Sequence, residues 1–189
     1  MSLRIRNSLL GMFLLAVLVG CLPVQAAQDR GKSPADSILK LYYEDVRARL
    51  STPEGLQMCD TLFTRASETG WVQMQAIALC LKLDYYYFRN DREGILEGTK
   101  RVRDFCLAHG KSEELRYFYY FVWGGRLITY YIKQSQYNVA VYETRQMLAE
   151  AQADDYQRGV ADCYRLLANL YLVQDSFRQA YENLSLIHI

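Results

Sequence analysis

The chain is poor both in residues that carry chemistry and in residues that interrupt helices. It has two histidines, His109 and His188, three prolines, at positions 23, 34 and 53, and no Cys-x-x-Cys pair or glycine-rich phosphate loop. A metal cluster, a Ser-His-Asp order and a nucleotide cradle therefore lack their parts, and no metal, cofactor or catalytic residue is expected. Charge of one sign is lacking too: 22 Lys and Arg stand against 21 Asp and Glu, a net +1 that gives no reason to expect a nucleic-acid partner. Long hydrophobic runs are absent, the longest being Leu9 to Val19. That run of about 11 residues falls short of the roughly 20 needed to span a bilayer. What is present is a globular composition, 51% apolar with 16 Tyr, and a proline-free stretch from Glu54 onward in which helices can continue unbroken.

The first 26 residues read as an export signal. Arg4 and Arg6 precede the apolar run, and Pro23 and Val24-Gln25-Ala26 follow it, giving an n-region, an h-region and a small-residue cleavage site. Leu18-Val19-Gly20-Cys21 offers a second processing position, because it resembles a lipobox in which Cys21 becomes a lipidated N-terminus. Both readings place the protein outside the cytoplasm, periplasmic or attached to a membrane facing the periplasm. A polar linker over 27–35 and a helical domain over 36–189 follow.

That domain repeats. Polar and helix-breaking clusters recur at Glu68-Thr69-Gly70, Arg89-Asn90-Asp91, His109-Gly110-Lys111, Gln134-Ser135-Gln136, Ala153-Asp154-Asp155 and Gln174-Asp175-Ser176, a spacing of about 20 residues. Between them apolar residues fall at helical intervals, such as Ala76, Leu79, Leu83, Tyr86 and Val160, Tyr164, Leu167, Tyr171. Each segment is expected to be one amphipathic helix, and no sustained period-2 alternation announces a strand. About eight antiparallel helices in about four hairpins, an all-α solenoid with a repeat of about 40 residues, follow from this spacing. An ordinary helical bundle is the plainer alternative. Helices from about Ala35 to Leu50 and from Pro53 to Ser67 are expected as an atypical first hairpin, Pro53 taking the first helical position where its missing N–H is harmless.

The last unit, Tyr164-x-x-Leu167-Ala168-x-x-Tyr171 followed by Phe177-x-x-Ala180-x-x-x-Leu184, resembles the tetratricopeptide repeat. Leu127, Tyr131, Tyr137 and Ala140 repeat the frame with Ile128 at a position usually small, and Leu83, Tyr86, Ile95 and Val102 repeat it more loosely. With its export signal and divergent repeats, the chain looks like the exported N-terminal sensor region of tetratricopeptide-containing histidine kinases or related membrane-bound regulators. In that family a transmembrane helix and a cytoplasmic module follow. The apolar frame running into Ser185-Leu186-Ile187-His188-Ile189 without a stop signal is in keeping with a longer protein cut within a helix. The resemblance implies a non-enzymatic scaffold for a protein or peptide, with membrane contact only through a downstream segment or a lipid on Cys21. A stand-alone exported adaptor or lipoprotein in envelope assembly is the alternative.

Family ligands lie against the concave face of the first helices of each pair. Carried over position by position, the resemblance names Asp84 and Tyr87, then Arg126, Thr129 and Lys133, then Asp162, Arg165 and Asn169. Cys59, Cys80, Cys106 and Cys163 are expected as buried free thiols, Cys59 with Cys80 being the pair to bridge if any does. His109 beside Gly110 suits a helix C-terminus, and the pair Gly124-Gly125 suits close helix packing. In the runs Tyr42-Tyr43, Tyr85 to Tyr87, Tyr119-Tyr120 and Tyr130-Tyr131, neighbours about 100° apart should send one ring to the core and one outward.

Overall fold

The computed structural model describes residues 34–188. The segment read as an export signal, Cys21 and the expected linker up to residue 33 lie outside the described residues. Eight helices occupy the rest: α1 Pro34–Arg49, α2 Pro53–Glu68, α3 Val72–Phe88, α4 Arg92–Ala108, α5 over 113–133, α6 Tyr137–Ala153, α7 Gln157–Val173 and α8 Phe177–Ser185, the last followed by a 3₁₀ turn, Leu186–His188. There is no strand among the described residues. α1 opens at Pro34, two residues before the expected domain boundary.

One turn is used six times. Gly70, Asn90, Gly110, Ser135, Asp155 and Asp175 all have φ between 50° and 71°, at intervals of 20 residues except for 25 between Gly110 and Ser135. Each lies in one of the six clusters read from the sequence. The N–H after each donates to a carbonyl five residues back, Trp71 to Ala66, Asp91 to Tyr86, Lys111 to Cys106, Gln136 to Tyr131, Tyr156 to Ala151 and Ser176 to Tyr171, at 2.8–3.0 Å. This is the Schellman closure that satisfies the last carbonyls of a helix and reverses the chain. The carbonyl owner alternates: small in Ala66, Cys106 and Ala151, tyrosine in Tyr86, Tyr131 and Tyr171. A two-helix period is thereby written into a one-turn design. After the tyrosine turn at Asn90, Asp91 caps α4 through its carboxylate, which accepts from Gly94 N at 3.1 Å. A Cβ on Gly94 would come within 2.3 Å of Tyr86 Cγ, so glycine lets α4 seat against that ring.

Every helix packs on the next, and contacts also run from α3 to α5 and from α5 to α7. Apolar residues supply the core throughout, with Leu62, Met74, Leu83, Ile95, Phe118, Ile128, Met147 and Leu170 fully buried. α3 departs from the amphipathic expectation. Residues from Gln73 to Leu81 are all buried, because neighbours close on it from several sides. α5 departs in another way, since Trp123–Ile128 is π-helical between the α-helical pieces Glu113–Val122 and Thr129–Lys133. The wide turn rotates the register of the second half of α5 against the first. It also lies where Gly124 approaches its neighbours: a Cβ there would meet Met147 Cε at 3.1 Å and Leu166 Cδ1 at 3.3 Å.

The expected tyrosine rule fails at one run. Tyr119 and Tyr120 are both buried, because each hydroxyl has a carboxylate to bond, Glu150 at 2.6 Å and Asp154 at 2.5 Å. No helix among the described residues is long and apolar enough to cross a membrane.

Candidate functional site

The residues named from the resemblance separate into an inner pair, a bridging group and an outer group. Asp84 on α3 and Arg126 on the π-helical part of α5 form a bidentate ion pair, Arg126 Nε donating to Asp84 Oδ1 at 2.5 Å and Nη2 to Oδ2 at 3.2 Å. Both residues are buried. The guanidinium lies 5.0 Å from the Tyr87 ring centre and 4.6 Å from that of Phe121, so two aromatic faces take over part of the solvation that water would give. Burial raises the Asp84 carboxyl and the Arg126 hydrogen bond pulls it back, while Asp84 holds Arg126 protonated against its own burial.

Lys133 bridges the inner pair to the surface. Its Nζ stands 4.1 Å from the centre of the Tyr87 ring. Burial and the charge of Arg126 both lower its pKa, and no carboxylate pairs with it among the described residues. The Tyr87 hydroxyl is itself buried without a hydrogen-bond partner, and burial pushes its pKa up to about 12. Thr129 is turned inward, its hydroxyl donating to the Gly124 carbonyl at 2.9 Å within the π-helical turn. The side chain thus serves the backbone of α5.

On α7 the outer group is open to solvent. Arg165 Nη2 donates to Asp162 Oδ1 at 3.2 Å, both half-exposed, and Asn169 is exposed. Asp84, Thr129 and Asn169 each lie six residues before the left-handed residue of the following turn, at Asn90, Ser135 and Asp175. They are one repeat position seen three times.

A second polar cluster ties α4, α5 and α6 together. Arg103 Nη2 donates to Tyr119 Oη at 2.8 Å and stands 3.5 Å from Glu150 Oε2; Lys111 Nζ donates to Glu150 at 3.0 Å and to Asp154. Burial opposes the charge on Asp154, but the bonds from Lys111 and Tyr120 outweigh it and lower its pKa. Nothing in the sequence announces this cluster, whose members join residues 16 to 47 positions apart. It fixes helices and leaves little open to a ligand.

The four described cysteines are free and buried. Burial pushes the thiols of Cys59, Cys106 and Cys163 up to about 12 and Cys80 higher than its usual range, which keeps them protonated and poorly nucleophilic. His109 follows α4 as its cap, and its ring Nδ1 donates to the Phe105 carbonyl at 2.8 Å. A cleft beside Trp71 and His109 has a volume of about 210 Å³, below the roughly 300–1,000 Å³ of a small-molecule site. Among the described residues no three His, Cys, Asp or Glu are grouped to hold a metal ion. In comparisons with known proteins, no family profile matches this chain and no curated protein matches it.

Proposed function

We propose that this protein is a non-enzymatic, tetratricopeptide-like scaffold that binds a protein or extended peptide, and that it serves as the extracytoplasmic sensor region of a bacterial signal-transduction protein. The observation that carries the binding reading is the row formed by α3, α5 and α7. Its repeated face offers Lys133, Asp162, Arg165 and Asn169 to solvent, over an inner layer of Asp84, Tyr87 and Arg126. A face of mixed charge, amide and aromatic edge suits an extended chain that presents its own backbone and alternating side chains. The inner ion pair gives this face a fixed floor, since breaking a buried pair is costly. Protonated, buried thiols and a histidine occupied in capping are in keeping with a role outside catalysis.

Two measurements test it. A library of fluorescent dodecapeptides screened by anisotropy should yield ligands whose affinity falls at least tenfold in Lys133→Ala and Asn169→Ala, with thermal midpoints unchanged. Ligands that bind these variants as well as the native protein would remove the face from the account. For the compartment, alkaline phosphatase fused after residue 189 should be active in a bacterial host and lose activity when residues 1–26 are deleted. A fusion active only in reducing-pathway mutants would place the protein in the cytoplasm instead.

A further inference from the structure

Cations and rings alternate along the row of α3, α5 and α7. Lys133 on α5 stands over the Tyr87 ring of α3, its Nζ 4.1 Å from the ring centre. The Arg126 guanidinium lies between Tyr87, at 5.0 Å, and Phe121, at 4.6 Å. Phe121 stacks on Tyr117, with ring centres 5.4 Å apart and planes 17° from parallel. The Arg158 guanidinium of α7 covers Tyr117 in turn, 5.0 Å from its centre. The series is unbroken across all three helices. Tyr117 and Phe121 are half-buried within it, and Lys133 and Arg158 are exposed at its two ends.

The charges on this stripe do not balance. Both of its carboxylates are already taken, Asp84 by Arg126 and Asp162, one turn beyond Arg158 on α7, by Arg165. Lys133 and Arg158 have no carboxylate paired with them among the described residues, and each rests on a ring face instead. A ring contact leaves the N–H donors on the outer side of an ammonium or guanidinium free to meet an anion. Burial and the charge of Arg126 weaken the hold of Lys133 on its proton, so an anion brought there is stabilised.

The two anchors are also set apart. Lys133 lies on the last turn of α5, and Tyr117, which carries Arg158, lies near its start, about 24 Å away along the helix axis at about 1.5 Å per residue. An extended chain covers that distance in about seven or eight residues, at about 3.3 Å each. Two unpaired cations with stacked rings between them make a sparse site. Nucleic acid and anionic bilayers draw their binding from many phosphates neutralised together, which this stripe does not offer.

We propose that the ligand of this face is an acidic peptide in extended form, with two carboxylate side chains about seven or eight residues apart seated on Lys133 and Arg158 and an apolar side chain between them on the Tyr117–Phe121 stack. The inference rests on the scaffold reading above and names the chemistry of its ligand. It uses internal side chains, so a free chain end plays no part.

The test selects dodecapeptides, acetylated and amidated to remove terminal charges, by anisotropy against the full chain. The selected peptides should carry an Asp or Glu pair at this spacing. Changing either acid to its amide should weaken binding about fivefold or more. Lys133→Met should erase the effect of one acid and Arg158→Met that of the other, with thermal midpoints unchanged because both residues are exposed. Lys133→Glu should lose the native ligand and regain it when the facing acid is replaced by lysine. Peptides that bind this face without an acidic pair, or that lose nothing when the acids become amides, overturn the inference and leave the scaffold reading standing. Ligands indifferent to Lys133, Arg158 and Asn169 overturn both. If no peptide is selected both also fall, and phosphatidylglycerol vesicles bound through Lys133 and Arg158 would then name a membrane surface instead.

Discussion

α3 and α7 occupy the same row, leave by the same turn and yet differ in surroundings. Asp84 on α3 is 6% exposed and locked to Arg126, whereas Asn169, its counterpart on α7, is exposed. Leu172 on α7 is 42% exposed, while its counterpart Tyr87 is 3%. The turns and helix lengths are alike; what differs is the helix lying alongside. α3 has α5 beside it and α7 has no later odd-numbered helix among the described residues. In a stacked array, burial belongs to the junction between units more than to the unit.

The comparison is broken most forcefully at Asp84. Asp84→Ala strands a buried guanidinium and should cost about 3–5 kcal/mol in urea unfolding, whereas Asn169→Ala at the same repeat position should stay within about 0.5 kcal/mol. Replacing both partners, Asp84→Leu with Arg126→Met, should recover most of the loss, since a packed apolar pair avoids the desolvation of two charges. A double variant as unstable as Asp84→Ala would show that the pair does more than neutralise itself.

Next in size is overpacking at the π-helical turn. Gly124→Leu drives a side chain into Met147 and Leu166 and should cost about 1–3 kcal/mol; an unchanged melt would mean that the α5–α6–α7 junction is loosely packed.

Asp154 sharpens the comparison through pH. Its pKa is depressed in the folded state, so its contribution to stability is present above the unfolded carboxylate range, near about 4, and is lost as pH falls through the folded value. Asp154→Asn should therefore cost about 1–2 kcal/mol at neutral pH and almost nothing once the native carboxyl is protonated. A penalty independent of pH would rule out the charge-assisted bond from Lys111.

The smallest effect belongs to the turns. Ser135 holds φ at 58°, where a Cβ is strained, and Ser135→Gly should stabilise the protein by up to about 1 kcal/mol. Destabilisation would show that the serine side chain is needed there.

How much of this is legible in sequence follows from the range of each interaction. The six turns were readable because a left-handed residue after a helix selects Gly, Asn or Asp within three or four positions, and Ser135 was reachable through the polar cluster around it. Pro53 marked the start of α2 for an equally local reason, with Thr52 accepting the Gly55 N–H. The pairing of Asp84 with Arg126 spans 42 residues and depends on the register set by the π-helical turn, which Gly124-Gly125 permits but does not announce. Both residues were readable as members of one helix row; that they face each other and close the floor of the candidate face was not. Tyr119 and Tyr120 defeated the simple rotation rule for the same reason, their hydroxyls finding Glu150 and Asp154 on a distant helix.

The central claim is that α3 and α5 are each enclosed by the next odd-numbered helix in their row. Hydrogen exchange resolved by helix tests it most directly. Amides of α3 and α5 should exchange slowest, by global unfolding, those of α7 faster, and those of α8 fastest, by local opening. Uniform protection from α3 through α8 would contradict the account, because α7, with no later odd-numbered helix beside it among the described residues, would then be as secure as the enclosed α3 and α5.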